Sequence, residues 1–302
     1  MDNLTSPVNR PFFTIYTRQR LWGLFFVAPA LIFFAIFCFY PMFSALYYSL
    51  TNYNLVQAPK FVGLAQYIAM IKDPRFLVSL KNTFVYAFGS ALRVIISLAL
   101  GLVFVRDFRG RNLLRTLYFA PVVMAGVVVA MVWRVLYNPL GPINATLGIL
   151  FGIAPFWLTT RNLAPVAIII INIWQSIGFY MVLFIAGLQG IPAEFYDSAK
   201  VDGANAWARF WTITLPLLKP TTLFVIAITF INSFQGFTYQ YVMTRGGPND
   251  ATDVIALYVY QNAFEFQKMG YAAALSVVLF IIIMVLTLLQ LKVTRTEDVS
   301  YV

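Results

Sequence analysis

Two pairs of side-chain amides stand out in a chain otherwise dominated by apolar residues: Asn172 with Gln175, and Asn232 with Gln235. Each pair is three residues apart, the spacing that puts side chains on one face of a helix. Tyr180 follows the first pair, and Phe234 and Tyr239 accompany the second. Amides donate and accept, and aromatic rings offer flat apolar surface, so such clusters can hold a polar solute reversibly. Taken singly, each amide is equally suited to bond a neighbouring helix and glue a bundle together. A lone cation, Arg93, lies inside a further apolar run. Facing lipid there it would cost at least ~2.5–3.5 kcal/mol, so it must turn inward. Either it bonds backbone carbonyls or a partner subunit, or it lines a polar path and meets an anionic or strongly polar group. Covalent chemistry has almost no purchase. The chain holds no His and one Cys, Cys38, which excludes Ser-His triads, His-ligated metals, CxxC redox pairs and disulfides within the chain.

The elements that carry these residues are set by composition. Of 302 residues 61% are hydrophobic and only 11% charged, and the mean hydropathy is +0.78. Soluble domains carry about 25% charged residues, so the solvent for this chain is lipid. A spanning helix needs about 20 mostly apolar residues, and six stretches qualify: Leu21–Leu50, Asn82–Val105, Thr116–Trp133, Leu163–Leu188, Thr221–Met243 and Met269–Leu291. The chain therefore reads as an all-α polytopic membrane protein with six transmembrane helices. The first run is too long for the core of a signal peptide and is followed by no small-x-small cleavage site. Residues 1–20 form an N-terminal segment, 21–292 the six-span domain and 293–302 a C-terminal tail.

Orientation follows from the Lys and Arg count. With the N-terminus inside, the cytoplasmic segments hold Arg10, Arg18, Arg20, Arg106, Arg109, Arg111, Arg115, Lys200, Arg209, Lys219, Lys292 and Arg295. The outer loops hold Lys60, Lys72, Arg75, Arg161, Arg245 and Lys268. Twelve against six places both termini in the cytoplasm. The net charge of +10 then reflects anionic membrane lipid as neighbour, and no nucleic acid is implied.

The longest cytoplasmic loop, 189–219, carries the strongest internal pattern. Pro192 suits the first turn of a short helix, Glu194 complements its positive end, and Gly203 is placed to close it in a left-handed cap. A second short helix should run to Leu215, where Pro216 interrupts it. Phe195, Trp207, Phe210 and Trp211 would make the pair a compact knob. It either lies on lipid headgroups or docks in a groove of a cytoplasmic partner.

The spacing Asp197-Ser198-Ala199, three residues, Gly203, nine residues, Ile213-Thr214-Leu215-Pro216 resembles the E-A-A-x3-G-x9-I-x-L-P pattern of binding-protein-dependent ABC importer permeases. Ile191-Pro192-x-Glu194, Asp202-Gly203-Ala204, the outer loop from Thr244 to Thr252 and Met269-Gly270-Tyr271-Ala272-Ala273-Ala274 look like the carbohydrate-uptake branch. The resemblance covers nearly the whole chain. It implies a type I importer permease fold, with Glu194, Asp197, Ser198, Ala199, Asp202 and Gly203 as contacts to an ATP-hydrolysing subunit. It also implies a second permease, two ATP-binding subunits, an extracytoplasmic solute-binding protein, and a sugar or glycoside as cargo in a bacterial or archaeal inner membrane. The chain has no G-x-x-x-x-G-K-[ST] phosphate loop, so ATP and Mg would be used by the partner subunits and no cofactor is expected in this chain. The substrate set is then Asn172, Gln175, Tyr180, Asn232, Phe234, Gln235, Tyr239 and Arg93. An ion-coupled secondary transporter is the main rival, although these spans hold no Asp or Glu for proton coupling. A membrane-embedded enzyme is disfavoured by the same lack.

Overall fold

The computed structural model describes residues 15–294, so most of the N-terminal segment and nearly all of the C-terminal tail lie outside the described residues. The first span, α1 (Trp22–Ser49), is exposed along most of its length, as a helix bathed in lipid can be at no cost. It widens into a π turn at Ala35–Phe39 just ahead of Pro41. A proline lacks the N–H that a regular turn would use and crowds the carbonyl four residues back, and one wide turn relieves both.

A short helix α2 (Ala65–Ile71) leads to α3 (Pro74–Phe104), where Pro74 occupies the first turn and the Asp73 side chain accepts from the Arg75 N–H at 3.0 Å. At 31 residues α3 is longer than the hydrocarbon core requires, so its charged beginning, Arg75 and Lys81, lies outside the apolar layer. The third stretch departs from expectation. The sequence reads as one helix over Thr116–Trp133, but the structure breaks it into α4 (Arg111–Val123) and α5 (Gly126–Leu136), bent by 101°. Pro121 tightens the end of α4 into a 3-10 turn, and Met124 and Ala125 are extended between the two halves. Among the described residues five helices are long and apolar enough to span, or six when the bent pair is taken as one span.

After α6 (Pro142–Phe151), the long span α7 (Leu163–Gln189) runs through the centre of the bundle. Its close crossing with α4 requires glycine, since a Cβ on Gly178 would sit 2.1 Å from the Tyr118 carbonyl oxygen. The loop helices α8 (Ala193–Val201) and α9 (Ala206–Arg209) follow, and then the fifth span α10 (Lys219–Thr244), a short α11 (Ile255–Tyr260) and the last span α12 (Met269–Thr294). Tyr180, Phe184, Leu188, Ile191, Leu218 and Val225 pack α7 against α10 and the second half of α3. Phe234, Ile255, Ala274 and Leu275 join α10, α11 and α12. Apolar packing thus joins α7 to α10 and α3 at one depth and α3 and α10 to α11 and α12 at another, and polar residues between α3, α7 and α10 bond one another.

Candidate functional site

Arg93 lies 11 residues from the Phe104 end of α3, about 16 Å along the helix axis and so near the middle of the membrane. It is 2% exposed. Its guanidinium donates to the Tyr180 hydroxyl at 3.4 Å, to Ser90 Oγ at 3.1 Å and to Asn172 Oδ1, and its Cζ lies 5.4 Å from the Tyr180 ring centre. Two links extend the cluster to the fifth span: Asn232 Nδ2 donates to the Tyr180 hydroxyl at 3.2 Å, and Ser233 Oγ donates to Ser90 Oγ at 2.7 Å. Arg93 therefore bonds neutral side-chain oxygens, and the backbone carbonyls expected as one set of partners are not among its contacts. Among the described residues no carboxylate forms an ion pair with it. One positive charge is thus carried mid-span by three helices through hydroxyls and amides, which stabilise it without neutralising it.

The candidate site residues separate in space. Asn172, Tyr180, Asn232 and Arg93 form the cluster, and Asn232 is the member that remains exposed. Gln175 donates to the Met124 carbonyl at 2.9 Å, so it serves the α4–α5 bend by satisfying a backbone group that the break frees. Tyr239 is buried close to the start of α5, where its hydroxyl lies 3.7 Å from an ideal Cβ on Gly126. Phe234 is a core residue, edge-to-face with Phe84. Gln235 lies apart from the cluster, in a groove lined by Ala256, Val259 and Ser276. Ser90 was not legible as a member, because a lone serine in an apolar run carries no positional signal, whereas Ser233 stands beside Asn232 among the polar residues of the fifth span.

The loop helices form the expected knob with two local differences. Pro192 precedes α8 as its cap, with Glu194 in the first turn. Pro216 does not end α9, which continues through a π turn at Phe210–Thr214 to Leu217. A turn that is already wide has no use for the N–H that proline lacks. The end of α8 is closed in two directions: Ala204 N–H to the Ala199 carbonyl at 2.8 Å, and Gly203 N–H to the Lys200 carbonyl at 3.1 Å. That pattern needs a left-handed residue, and Gly203 supplies it at φ +78°. Ile191 is buried with Leu188 and Leu218, and the Tyr196 hydroxyl bonds Thr214 Oγ1 at 3.0 Å, which pins the knob to the ends of the spans. Glu194, Asp197, Ser198, Asp202 and Gly203 are exposed and Ala199 half-buried. Asp197 pairs with Lys200 at 2.7 Å, and Val201 is 88% exposed.

At the opposite end, residues that the sequence showed only as scattered charges form a latch. Arg75 Nε meets Asp253 Oδ2 at 2.7 Å and its guanidinium also reaches Gln261. Ser79 Oγ donates to the same Asp253 oxygen at 3.0 Å, and Asn82 Nδ2 donates to the Asp250 and Asp253 carbonyls. The Tyr258 and Tyr271 hydroxyls donate to Asp73 Oδ2 at 2.6 and 2.7 Å. Burial alone would raise the Asp73 pKa, but these two bonds and the backbone N–H groups of residues 75 and 76 outweigh it and hold it below the usual carboxylate value. Asp253 is fully buried, and there burial wins over Arg75 and Ser79, so its pKa is raised. Tyr258, buried and bonded to the Asp73 carboxylate, is pushed up to about 12. The latch closes the start of α3 onto the segment between the fifth and sixth spans.

A bundle of spanning helices with a charged hub at mid-depth, a latch at one end and a rigid exposed knob at the other defines a polytopic membrane transport component. A family profile described as binding-protein-dependent transport system inner membrane component matches residues 93–296, and the chain belongs to that family. It is 31% identical over 289 residues to a probable starch degradation products transport system permease, AmyD, of Thermoanaerobacterium thermosulfurigenes, covering 94% of this chain and 98% of that one. It is 32% identical over 298 residues to the trehalose/maltose transport system permease MalF of Thermococcus litoralis, covering 97% and 98%. Its fold matches a chain of a bacterial alginate ABC transporter, solved in complex with an alginate pentasaccharide-bound periplasmic protein. The TM-score is 0.82 at 23% identity, over 93% of this chain and 98% of that one.

Proposed function

We propose that this inner-membrane component is the permease half of an ATP-driven importer that moves a sugar or glycoside handed over by an extracytoplasmic binding protein. The observation that carries the reading is the knob. Its inner side is anchored to the ends of α7 and α10, its outer side is exposed, and its C-terminus is locked by Gly203, as a lever must be that transmits force between a cytoplasmic motor and spanning helices. In this reading the coupling contacts are Glu194, Asp197, Ser198, Ala199, Asp202 and Gly203. Two partner subunits hydrolyse ATP with Mg, a second and different permease completes the path, and both termini lie in the cytoplasm. The sugar assignment is supported by what the AmyD and MalF relatives are named for and by the chemistry of the mid-span cluster. Asn232 is the member that reaches solute, while Arg93, Asn172 and Tyr180 support it from behind; Gln175 and Tyr239 border the same region at the α4–α5 bend, and Phe234 and Gln235 face elsewhere.

The orientation is tested by single cysteines in a Cys38→Ser background. Positions Asn112 and Asn205 should resist an impermeant thiol reagent applied to intact cells, while Ala145 and Asn249, all four being exposed positions, should divide the other way and react. Labelling of position 205 from outside would overturn both the orientation and the coupling role of the knob. The cargo is tested by reconstituting the complex with its binding protein and measuring sugar-stimulated ATP hydrolysis.

A further inference from the structure

Behind the knob, on the side facing the spans, lies a cavity of about 530 Å³. Its walls include Leu102, Val105 and Arg106 at the end of α3, and Trp207, Arg209 and Phe210 of the loop. The charges around it are unevenly satisfied. Arg111 pairs with Asp107, and Arg115 donates to the Phe104 carbonyl. Arg106 and Arg209 form no ion pair among the described residues, and Arg209 Nε is buried without a hydrogen-bond partner. Two guanidinium groups in one wall with no acid to balance them leave the cavity positively charged and open to an anionic acceptor. The acids of the loop cannot supply it: Asp197 is engaged with Lys200, and Glu194 and Asp202 are exposed on α8 and at its end. Leu102, Val105, Leu188, Ala206 and Phe210 make most of the remaining wall apolar, and the polar groups of Tyr196 and Thr214 are bonded to each other. Trp207 is 71% exposed and stacks edge-to-face with Trp211, which is 50% exposed, the kind of aromatic surface found at headgroup depth.

We infer that this cavity binds an anionic phospholipid. Its phosphate sits between Arg106 and Arg209, and an acyl chain lies along Leu102 and Val105. The inference rests on the proposed orientation, which puts the knob at the anionic cytoplasmic leaflet. A lipid fits where a free phosphate does not, because half the wall offers nothing to an ion and a good surface to a chain. With the cavity filled, α9 is braced against α3, so the knob's inner anchor includes the lipid.

The test uses the complete complex, purified and reconstituted into vesicles of dioleoylphosphatidylcholine with rising fractions of dioleoylphosphatidylglycerol. Native mass spectrometry reads the phosphatidylglycerol retained per complex, and stimulated ATP hydrolysis reads its effect. The wild-type complex should retain about one such lipid at this site and respond to it. Arg106→Gln should weaken retention about fivefold and Arg106→Gln with Arg209→Gln about 25-fold, the loss corresponding to one and two basic contacts at a membrane surface. Arg106→Lys should keep most of it. If the double variant fails to assemble, Arg106→Gln alone decides, since that side chain is exposed and bonds nothing that holds the fold. Equal retention in wild type and Arg106→Gln would overturn the site. So would displacement of the lipid by inorganic phosphate at millimolar concentration, or retention by the permease pair that disappears once the ATP-binding subunits are added. Failure of the orientation itself would appear separately, in the cysteine labelling.

Discussion

Replacing Arg93 by Met asks what the buried charge does for the bundle. The change removes three hydrogen bonds, but only one acceptor is stranded by it. Tyr180 keeps its bond from Asn232, and Ser90 keeps Ser233 and its own bond to the Tyr86 carbonyl at 2.8 Å. Asn172 Oδ1 alone loses its donor. A buried acceptor without a partner costs about 1–3 kcal/mol, partly offset by no longer burying a charge. Asn172→Leu in the wild-type background instead removes an acceptor from a buried cation and should cost about 1.5–3 kcal/mol, the worth of a hydrogen bond to a charged group. Made on top of Arg93→Met, the same substitution removes the stranded oxygen and should recover about 1–3 kcal/mol. The sign of Asn172→Leu therefore reverses, and the interaction energy comes to about 2.5 kcal/mol at the least, near the upper end for touching residues. That is roughly a hundredfold in an unfolding equilibrium. Denaturant or thermal melts of the assembled complex, run on all four members of the cycle, would measure it. Additivity within about 0.5 kcal/mol would refute the claim that Arg93 is solvated by this cluster.

Three further outcomes follow from the geometry. Gln175→Leu removes the bond to the Met124 carbonyl at the α4–α5 bend and should destabilise the complex by about 0.5–1.5 kcal/mol in the same melts, with Gln175→Glu a poor rescue because it brings no donor when ionised. Gly203→Val forces a branched residue to φ +78°, a strain of about 1–2 kcal/mol or more; the protein should reach the membrane normally yet lose binding-protein-stimulated ATP hydrolysis, and unchanged stimulation would sink the lever. Asp73 titrates below its ordinary value of 3.8, so the stability it contributes is fully present above about pH 4 and is lost as pH falls through the lowered folded value. Melts between about pH 3 and 6 should show Asp73→Asn weakened at the upper end and converging on the wild type at the lower, and parallel curves would count against the latch.

How far the fold was legible depended on what each feature rests upon. Span positions rest on hydropathy alone, and four of the six were found within two residues at both ends, while the second begins at Pro74, eight residues before the apolar run that marked it. The bend at Met124–Ala125 was hidden because the uncharged apolar run 116–133 continues across it, and what spans it is a side chain 51 residues away, Gln175. The knob was readable in detail, since Glu194 and Gly203 answer to local backbone demands. Pro216 misled because a proline signals a missing N–H and says nothing about whether a wide turn has already made it unnecessary. Of the amide pairs, Asn172 and Asn232 join one cluster through Arg93 and Tyr180 while Gln175 and Gln235 do not. Helical spacing states which face residues share, but a 60° difference in azimuth is enough to give two residues of one face different neighbours. The latch was invisible for the plainest reason, that Arg75 and Asp253 are far apart in the chain and each looks like an ordinary loop charge.

That separation bears on how the protein is made. Arg75 leaves the ribosome 178 residues before Asp253, an interval of ~10–40 s at ordinary elongation rates. By its end the first four spans can be inserted and α3 can already lie along α7, while Arg75 stays hydrated at the mouth of a bundle that cannot close. Asp73 waits longer still, for Tyr271 at the start of the final span. A nascent chain arrested anywhere before the last span thus carries an open, charged rim, and a finished one does not. The difference gives a membrane protease or an assembly factor a chemical mark by which to tell an incomplete translation product from one ready to meet its partners.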